Sequence, residues 1–219
     1  TAACFELLSD LFLHSTFPEE EMEREKGVVC EEISMNEDTP EDLCLDLLSR
    51  AFYGKENYGR NILGTAKNVK RFTIEDISKY KRARYCPENI VISFAGGIDF
   101  QTAQTLVETY FGDLEKGAFE KRKVELIGTR KSLVKTKPIE QMHIAIGYPS
   151  VRRGDEKENF ISAINGVLGG TMSARLFQEV RERRGLAYSV YSYVSTYAEC
   201  GTQVMYAGVK PTQQDQAYE

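Results

Sequence analysis

The sequence predicts an α+β fold with antiparallel pairing. Helical and strand-like segments occur in mixed order, without the regular strand–helix–strand alternation of a doubly wound sheet. Two runs dense in β-branched and aromatic residues, LAYSVYSYVST and GTQVMYAGV, are separated only by YAEC, the spacing of a hairpin. With 219 residues, 42% of them hydrophobic, the chain is long enough to bury a core without disulfide or metal staples.

The chain opens on an apolar helical rhythm over about 2–14. Thr16, Pro18 and Glu19 then form a Thr-x-x-Glu start for a second helix reaching about Asn36. Thr39 and Pro40 start a third, whose Leu43, Leu47, Leu48 and Phe52 make one apolar face. A glycine-bounded loop, YGKENYGRNILGT, precedes a capped helix from Thr73 to Arg84. CPEN reads as a turn, IVISFAGG as a strand, and Asp99 as the cap of a helix ending near Gly112. From 113 to about 138 the chain is polar and basic, an interdomain linker with one short strand expected near Val124 to Ile127. EQMHIAIGYPS alternates as a strand, and Asn159–Leu168 is helical until Gly169 and Gly170 break it. Ser173–Arg184 is helical up to Gly185, and the hairpin follows. The expected division is 1–115, a linker over 116–138, and 139–219. With no Met at the start and PTQQDQAYE stopping in a helix's first turns, the sequence reads as cut from a longer chain at both ends.

Composition excludes several functions. The net charge of -5, with 28 basic residues dispersed among 33 acidic ones, offers no broad attraction for nucleic acid or anionic lipid. No apolar run reaches the length of a membrane span, and neither a membrane nor a nucleic acid is expected as partner. Five scattered cysteines, odd in number and without a Cys-x-x-Cys spacing, point to a reducing compartment and a cytoplasmic protein. His14 and His143 are the only histidines, too few for a three-ligand hydrolytic zinc site within this chain. GGTMSARL lacks the G-x-G-x-x-G spacing of a nucleotide-binding turn.

EREKGVVCEEI, residues 23–33, holds the most informative charges. At about 100° per residue, with Met22 as origin, Val29 and Ile33 fall within about 20°, while Val28 and Met35 lie near 220–240°. Glu25 and Glu32 fall between these apolar groups, whereas Glu23, Arg24 and Glu31 fall opposite. A carboxylate inside an apolar stripe requires a cation, a metal or strong donors. The plain alternative is that both sit at a helix edge and reach water, as most charge runs do.

A resemblance extends well beyond this helix. EREKGVVCEEISMNEDTPEDLCLDLLSRAFYG, GRNILGT, FTIEDISKY, YCPENIVISFAGGID and GGTMSARLFQEVRERRGLAYSVYS resemble, in order, the landmarks of the pitrilysin-type, insulinase-like zinc peptidases. The similarity is greatest to short bacterial processing-protease-like members related to the mitochondrial processing peptidase. The resemblance implies two related α+β domains, each a sheet covered by helices, facing each other across a substrate chamber. This chain would hold the later part of the first and the earlier part of the second. It implies one zinc ion (Zn2+) per full-length chain, bound by an inverted His-x-x-Glu-His motif that is absent here and expected within the sixty or so residues before Thr1. A downstream glutamate completes the metal site, and the matching position is Glu32. Glu25 matches a second acidic position, expected to orient a ligand histidine. In RERRGLAY, Arg181 and Tyr188 match an arginine and a tyrosine that reach the substrate backbone and the oxyanion; without the resemblance they read as an exposed arginine and a packed strand tyrosine.

The function so implied is zinc-dependent endopeptidase action on extended peptides, the fragment alone being inactive. Its partner is the peptide substrate, with a homodimer as one expected assembly. A non-catalytic substrate-binding subunit of the same family is the first alternative, and a cytosolic protein-interaction scaffold the second.

Overall fold

The structure, a computed structural model, describes residues 2–117 and 131–219. The chain divides into two compact units: the described residues of Thr1–Glu31 with Thr65–Arg122, and those of Glu32–Gly64 with Lys123–Glu219. The strand expected near Val124 to Ile127 lies outside the described residues. The architecture is α+β, helices with an antiparallel sheet.

The first unit contains α1 (Ala2–Leu13), α4 (Ala66–Arg71), α5 (Ile74–Arg84) and α6 (Phe100–Phe111). Its packing centres on aromatic rings. Phe5 of α1 stacks on Phe94 at 5.2 Å and meets Tyr110 and Phe111 of α6 edge-on or tilted, while Phe12 stacks on Tyr85 at 4.7 Å. Local chemistry starts α5 and α6. Thr73 and Asp76 form a reciprocal capping box on α5, and the Asp99 carboxylate accepts the Thr102 N–H on α6. Lys81 of α5 donates to the carbonyl of Leu13 at 3.0 Å, satisfying an acceptor at the end of α1.

IVISFAGG is not a strand. Its residues alternate as a strand's do, with Ile92 and Phe94 half-buried and Val91, Ser93 and Ala95 exposed. No described residue pairs with its backbone, however, and a strand is defined by pairing as much as by extension. The segment serves instead to deliver Phe94 to Phe5.

α2 (Glu19–Asp38) runs through the boundary between the units. α3 (Pro40–Tyr53) begins in the second unit with Pro40 in its first turn, but Thr39 does not cap it; the Thr39 hydroxyl donates to the Met35 carbonyl instead. The second unit is built on a three-stranded antiparallel sheet in the order β1 (Met142–Ser150), β3 (Gly201–Val209), β2 (Ala187–Thr196). The predicted hairpin is β2–β3, and β3 is its central strand.

Period-two alternation gives the sheet two faces. α3 covers one. Gly147 of β1 allows this approach, because a Cβ there would come within 3.2 Å of Leu48 and 3.3 Å of Phe52 on α3. The other face carries Ala187, Val190 and Val209, packed by Ile144, Ala207, Leu176, Val180 and Ala217. α7 (Glu158–Leu168) joins through Asn165, whose side-chain oxygen accepts the Ser192 hydroxyl at 2.8 Å. Within the segment expected as a Ser173–Arg184 helix, Phe177–Arg183 winds as a π-helix.

Beneath α3 lies a polar knot. Glu41 accepts the Tyr191 hydroxyl at 2.5 Å, and the Tyr206 hydroxyl lies 2.6 Å from His143 Nδ1. Burial, and then the Glu41 carboxylate, push the Tyr191 phenol well above its ordinary value. Burial also holds His143 below the usual histidine value, and it lifts the Cys44 thiol to about 11.

Tyr191→Phe removes a donor from the half-buried Glu41 carboxylate. It should lower the unfolding free energy by roughly 1.5–3 kcal/mol in urea melts, the range for a hydrogen bond to a charged group. His143 gives the pH counterpart. A base whose folded pKa is depressed contributes stability present above its unfolded value, and this is lost as pH falls through the folded pKa. Stability should therefore drop as pH decreases below about 6.5, and His143→Gln should flatten that limb of the curve.

Candidate functional site

The structure brings together two of the four predicted residues. Arg181, in the π-helix, places its guanidinium 4.7 Å from the centroid of Tyr188 and 4.7 Å from that of Phe177, between two aromatic faces. Arg181 and Tyr188 line one open pocket of about 320 Å³ with Gln141, Leu186, Lys210 and Gln213.

Two one-residue irregularities create this arrangement. The first ends the helix. The Leu186 N–H bonds the Val180 carbonyl and the Gly185 N–H bonds the Arg181 carbonyl. Each bond spans one residue more than in a Schellman turn, matching the wider π winding. Gly185 closes the turn at φ +60°, a conformation glycine adopts without penalty. The second irregularity opens the strand. Ala187 pairs with Val209 and Ser189 with Gly208, so Tyr188 is the extra residue of a β-bulge. The slip lets both Ala187 and Val190 face the core, three positions apart, and leaves Tyr188 outside it, 76% exposed.

The chemistry available is hydrogen-bond donation from two fixed groups. Cation–π contact on both sides holds the guanidinium while its in-plane N–H groups remain usable. The nearest carboxylate oxygen, from Glu182, lies 3.7 Å from Arg181 Nε, beyond hydrogen-bonding range. No described residue hydrogen-bonds the Tyr188 hydroxyl. The sequence reading missed Phe177, although an aromatic four residues before an arginine on a helix was a usable signal.

Neither Glu25 nor Glu32 is among the residues lining this pocket, and the predicted apolar stripe around them is absent. The half-buried face of α2 comprises Met22, Lys26, Val29, Cys30, Ile33 and Asn36. The second apolar shoulder, Val28 and Met35, is 48% and 69% exposed, so the carboxylates lie at the edge of a single stripe. Glu25 and Glu32 are exposed, as are Glu23 and Glu31. Pairing sets only Glu23 apart. Glu23 binds Lys26 at 2.6 Å and Arg24 takes Glu21 and Glu20, whereas the carboxylates of Glu25, Glu31 and Glu32 make no ion pair or hydrogen bond to any described residue. His14 pairs with Asp10 at 2.9 Å, and His143 belongs to the knot beneath α3. Among the described residues no three His, Cys, Asp or Glu side chains gather to hold a metal, so these residues do not fit a complete zinc centre. No helix among them is long and apolar enough to cross a membrane.

Gly185→Ala tests the turn on which the pocket depends. With φ near +60° the methyl group should cost about 1–2 kcal/mol of stability in denaturant melts, and Gly185→Asn, better tolerated there, should lose less.

Comparison with known proteins gives the family. Residues 1–66 match the family model described as insulinase (peptidase family M16), and residues 71–219 match the one described as peptidase M16 inactive domain. The chain is 42% identical over 215 residues to YmxG of Bacillus subtilis, an uncharacterized zinc protease, covering 98% of this chain and 52% of that protein. It is 38% identical over 218 residues to an uncharacterized zinc protease of Streptomyces coelicolor, covering 95% and 47%. The chain thus spans about half the length of these relatives. Among solved structures, a peptidase M16 inactive domain from Pseudomonas fluorescens superposes with a TM-score of 0.86 at 23% identity, covering 97% of this chain and 52% of that one. A protease from Helicobacter pylori gives 0.84 at 20%, covering 99% and 55%; at these identities the likeness shows the fold alone. On the sequence matches, this chain belongs to the peptidase M16 family.

Proposed function

We propose that the chain supplies the substrate-holding wall of a zinc endopeptidase that cleaves extended peptides in the manner of the processing proteases. The observation that carries this reading is the Arg181–Tyr188 stack, produced by two coincident irregularities and aimed into an open pocket. Arg181 presents N–H donors to a substrate main-chain carbonyl. Tyr188, its ring fixed against the guanidinium, offers its hydroxyl to the oxygen that becomes negative as the peptide bond is attacked. Relatives named zinc proteases support the metal. Glu32 would contribute one carboxylate to a zinc centre whose other ligands lie outside this chain, with Glu25 orienting one of them. Zinc would supply Lewis-acid chemistry there. Five free thiols accord with a reducing, cytoplasmic setting.

The description of residues 71–219 as an inactive domain favours a second reading, a non-catalytic part that binds substrate for chemistry performed elsewhere. Both readings use the same pocket, and kinetics separate them. In the intact protease, Tyr188→Phe should reduce kcat on the order of 10²- to 10³-fold, with KM, zinc content and melting temperature near wild type. Arg181→Ala should raise KM as well. Wild-type kcat in the Phe variant would make Tyr188 a binding or packing residue only. Glu32→Ala should reduce bound zinc, read by metal analysis of the purified protein; an undiminished zinc content removes Glu32 from the centre.

A further inference from the structure

We propose that the pocket beside Arg181 is a carboxylate subsite, completed by Lys210, that selects peptides presenting an acidic group: a C-terminal carboxylate or an Asp or Glu side chain. This rests on the preceding reading of the pocket and deepens it by naming the class of substrate.

The lining chemistry carries the inference. The pocket wall holds two cations, Arg181 and Lys210, two carboxamides, Gln141 and Gln213, and no carboxylate. The whole chain has the opposite balance, 33 acidic residues against 28 basic. A concave wall with cations alone is therefore a local departure from the surrounding surface. Neither cation is consumed by a short ion pair. Glu182 stands 3.7 Å from Arg181 Nε, and the Lys210 ammonium makes no ion pair or hydrogen bond to any described residue.

Backbone geometry places Lys210 there. Val209 pairs with Ala187, the residue before Tyr188, so the end of β3 runs beside the bulge. Lys210 follows at φ -68° and ψ 139°, and Pro211, with its fixed φ, starts the short 3-10 turn Pro211–Gln213. Chain direction is thus set at the pocket rim. Gly208 clears space on the same wall: a Cβ there would lie 3.0 Å from Gln141 Oε1, so its absence lets the carboxamide cross the strand.

These groups suit a carboxylate better than a neutral carbonyl. A carbonyl is satisfied by the Arg181 fork alone. A second, mobile point charge adds attraction only when the ligand is an anion, and a planar fork with an ammonium beside it matches two carboxylate oxygens. The aromatic faces on both sides of the guanidinium limit its hydration and keep the fork aimed.

The test compares four labelled peptides of one sequence: free C-terminus, C-terminal amide, amide with an internal Glu, and amide with Gln at that position. Binding is read by fluorescence anisotropy on the 219-residue chain, and kcat/KM is read in the intact protease. A carboxylate-bearing peptide should be favoured over its uncharged counterpart by about tenfold, a ratio equal to 1.4 kcal/mol. The ratio should shrink as salt rises. Lys210→Gln should bring it near one, and Lys210→Arg should restore it. Preference for the free terminus identifies an end-recognising site, and preference for internal Glu identifies a side-chain pocket; either supports the subsite. Ratios near one for both pairs in the wild-type protein, or ratios that survive Lys210→Gln, overturn it. That failure leaves the roles of Arg181 and Tyr188 standing, because those fall only with the kinetics of their own variants.

Discussion

Burial of the central strand β3 is the constraint on which the second unit depends. Val209 is 1% exposed, Tyr206 2% and Val204 4%, with sheet partners on both edges and side chains packed on both faces. Burying one such side chain stabilises by roughly 1.5–3 kcal/mol, and the strand presents them alternately to the α3 side and to the side of the π-helix. Both layers are therefore referred to the same backbone. Gly147 sets how closely α3 approaches, and Val180 and Leu176 set how the π-helix lies against Ala187 and Val209.

The Arg181–Tyr188 pocket is a consequence of that referencing. Val180 packs half-buried against the core, so the next residue, Arg181, emerges at the rim of the sheet. Ala187 is fixed in the same core, so Tyr188 emerges beside it. The two side chains that carry the proposed function are the immediate neighbours of a buried anchor, Ala187, and a half-buried one, Val180. Their 4.7 Å stack is thereby held by packing that neither residue has to provide. The knot of Glu41, Tyr191, Tyr206 and His143 plays the corresponding part on the other face, tying the first turn of α3 to the strands by hydrogen bonds.

Much of the fold was legible because its signals are local. Thr73 with Asp76, Asp99 before Thr102, Pro40 after Thr39, and YAEC between two β-rich runs each act within a few residues, and the helices and hairpin follow them. Errors arose where a local pattern needs a distant partner. Ile92 and Phe94 alternate correctly with their neighbours, yet no described strand pairs with them. On α2 the wheel treated Val28 and Met35 as inward because they are apolar, although apolar side chains are common on surfaces. In the site, Arg181 and Tyr188 were found through resemblance alone. The means by which they meet, a π turn and a bulge, leave no mark on a period of 3.6 or 2.

The bulge at Tyr188 and the π turn before it are both slips of a single residue in otherwise periodic elements. A periodic element repeats its environments, so any position can be exchanged with another of the same phase at modest cost. A slip has no equivalent elsewhere in its element. The pocket is thus the place in this unit where the chain's numbering is anchored: removing one residue at either slip would restore a regular period and take Arg181 or Tyr188 out of its place, and adding one would carry the segment a further step out of phase. Length in that segment should be far less free to vary than residue identity, the reverse of what holds in an ordinary surface loop.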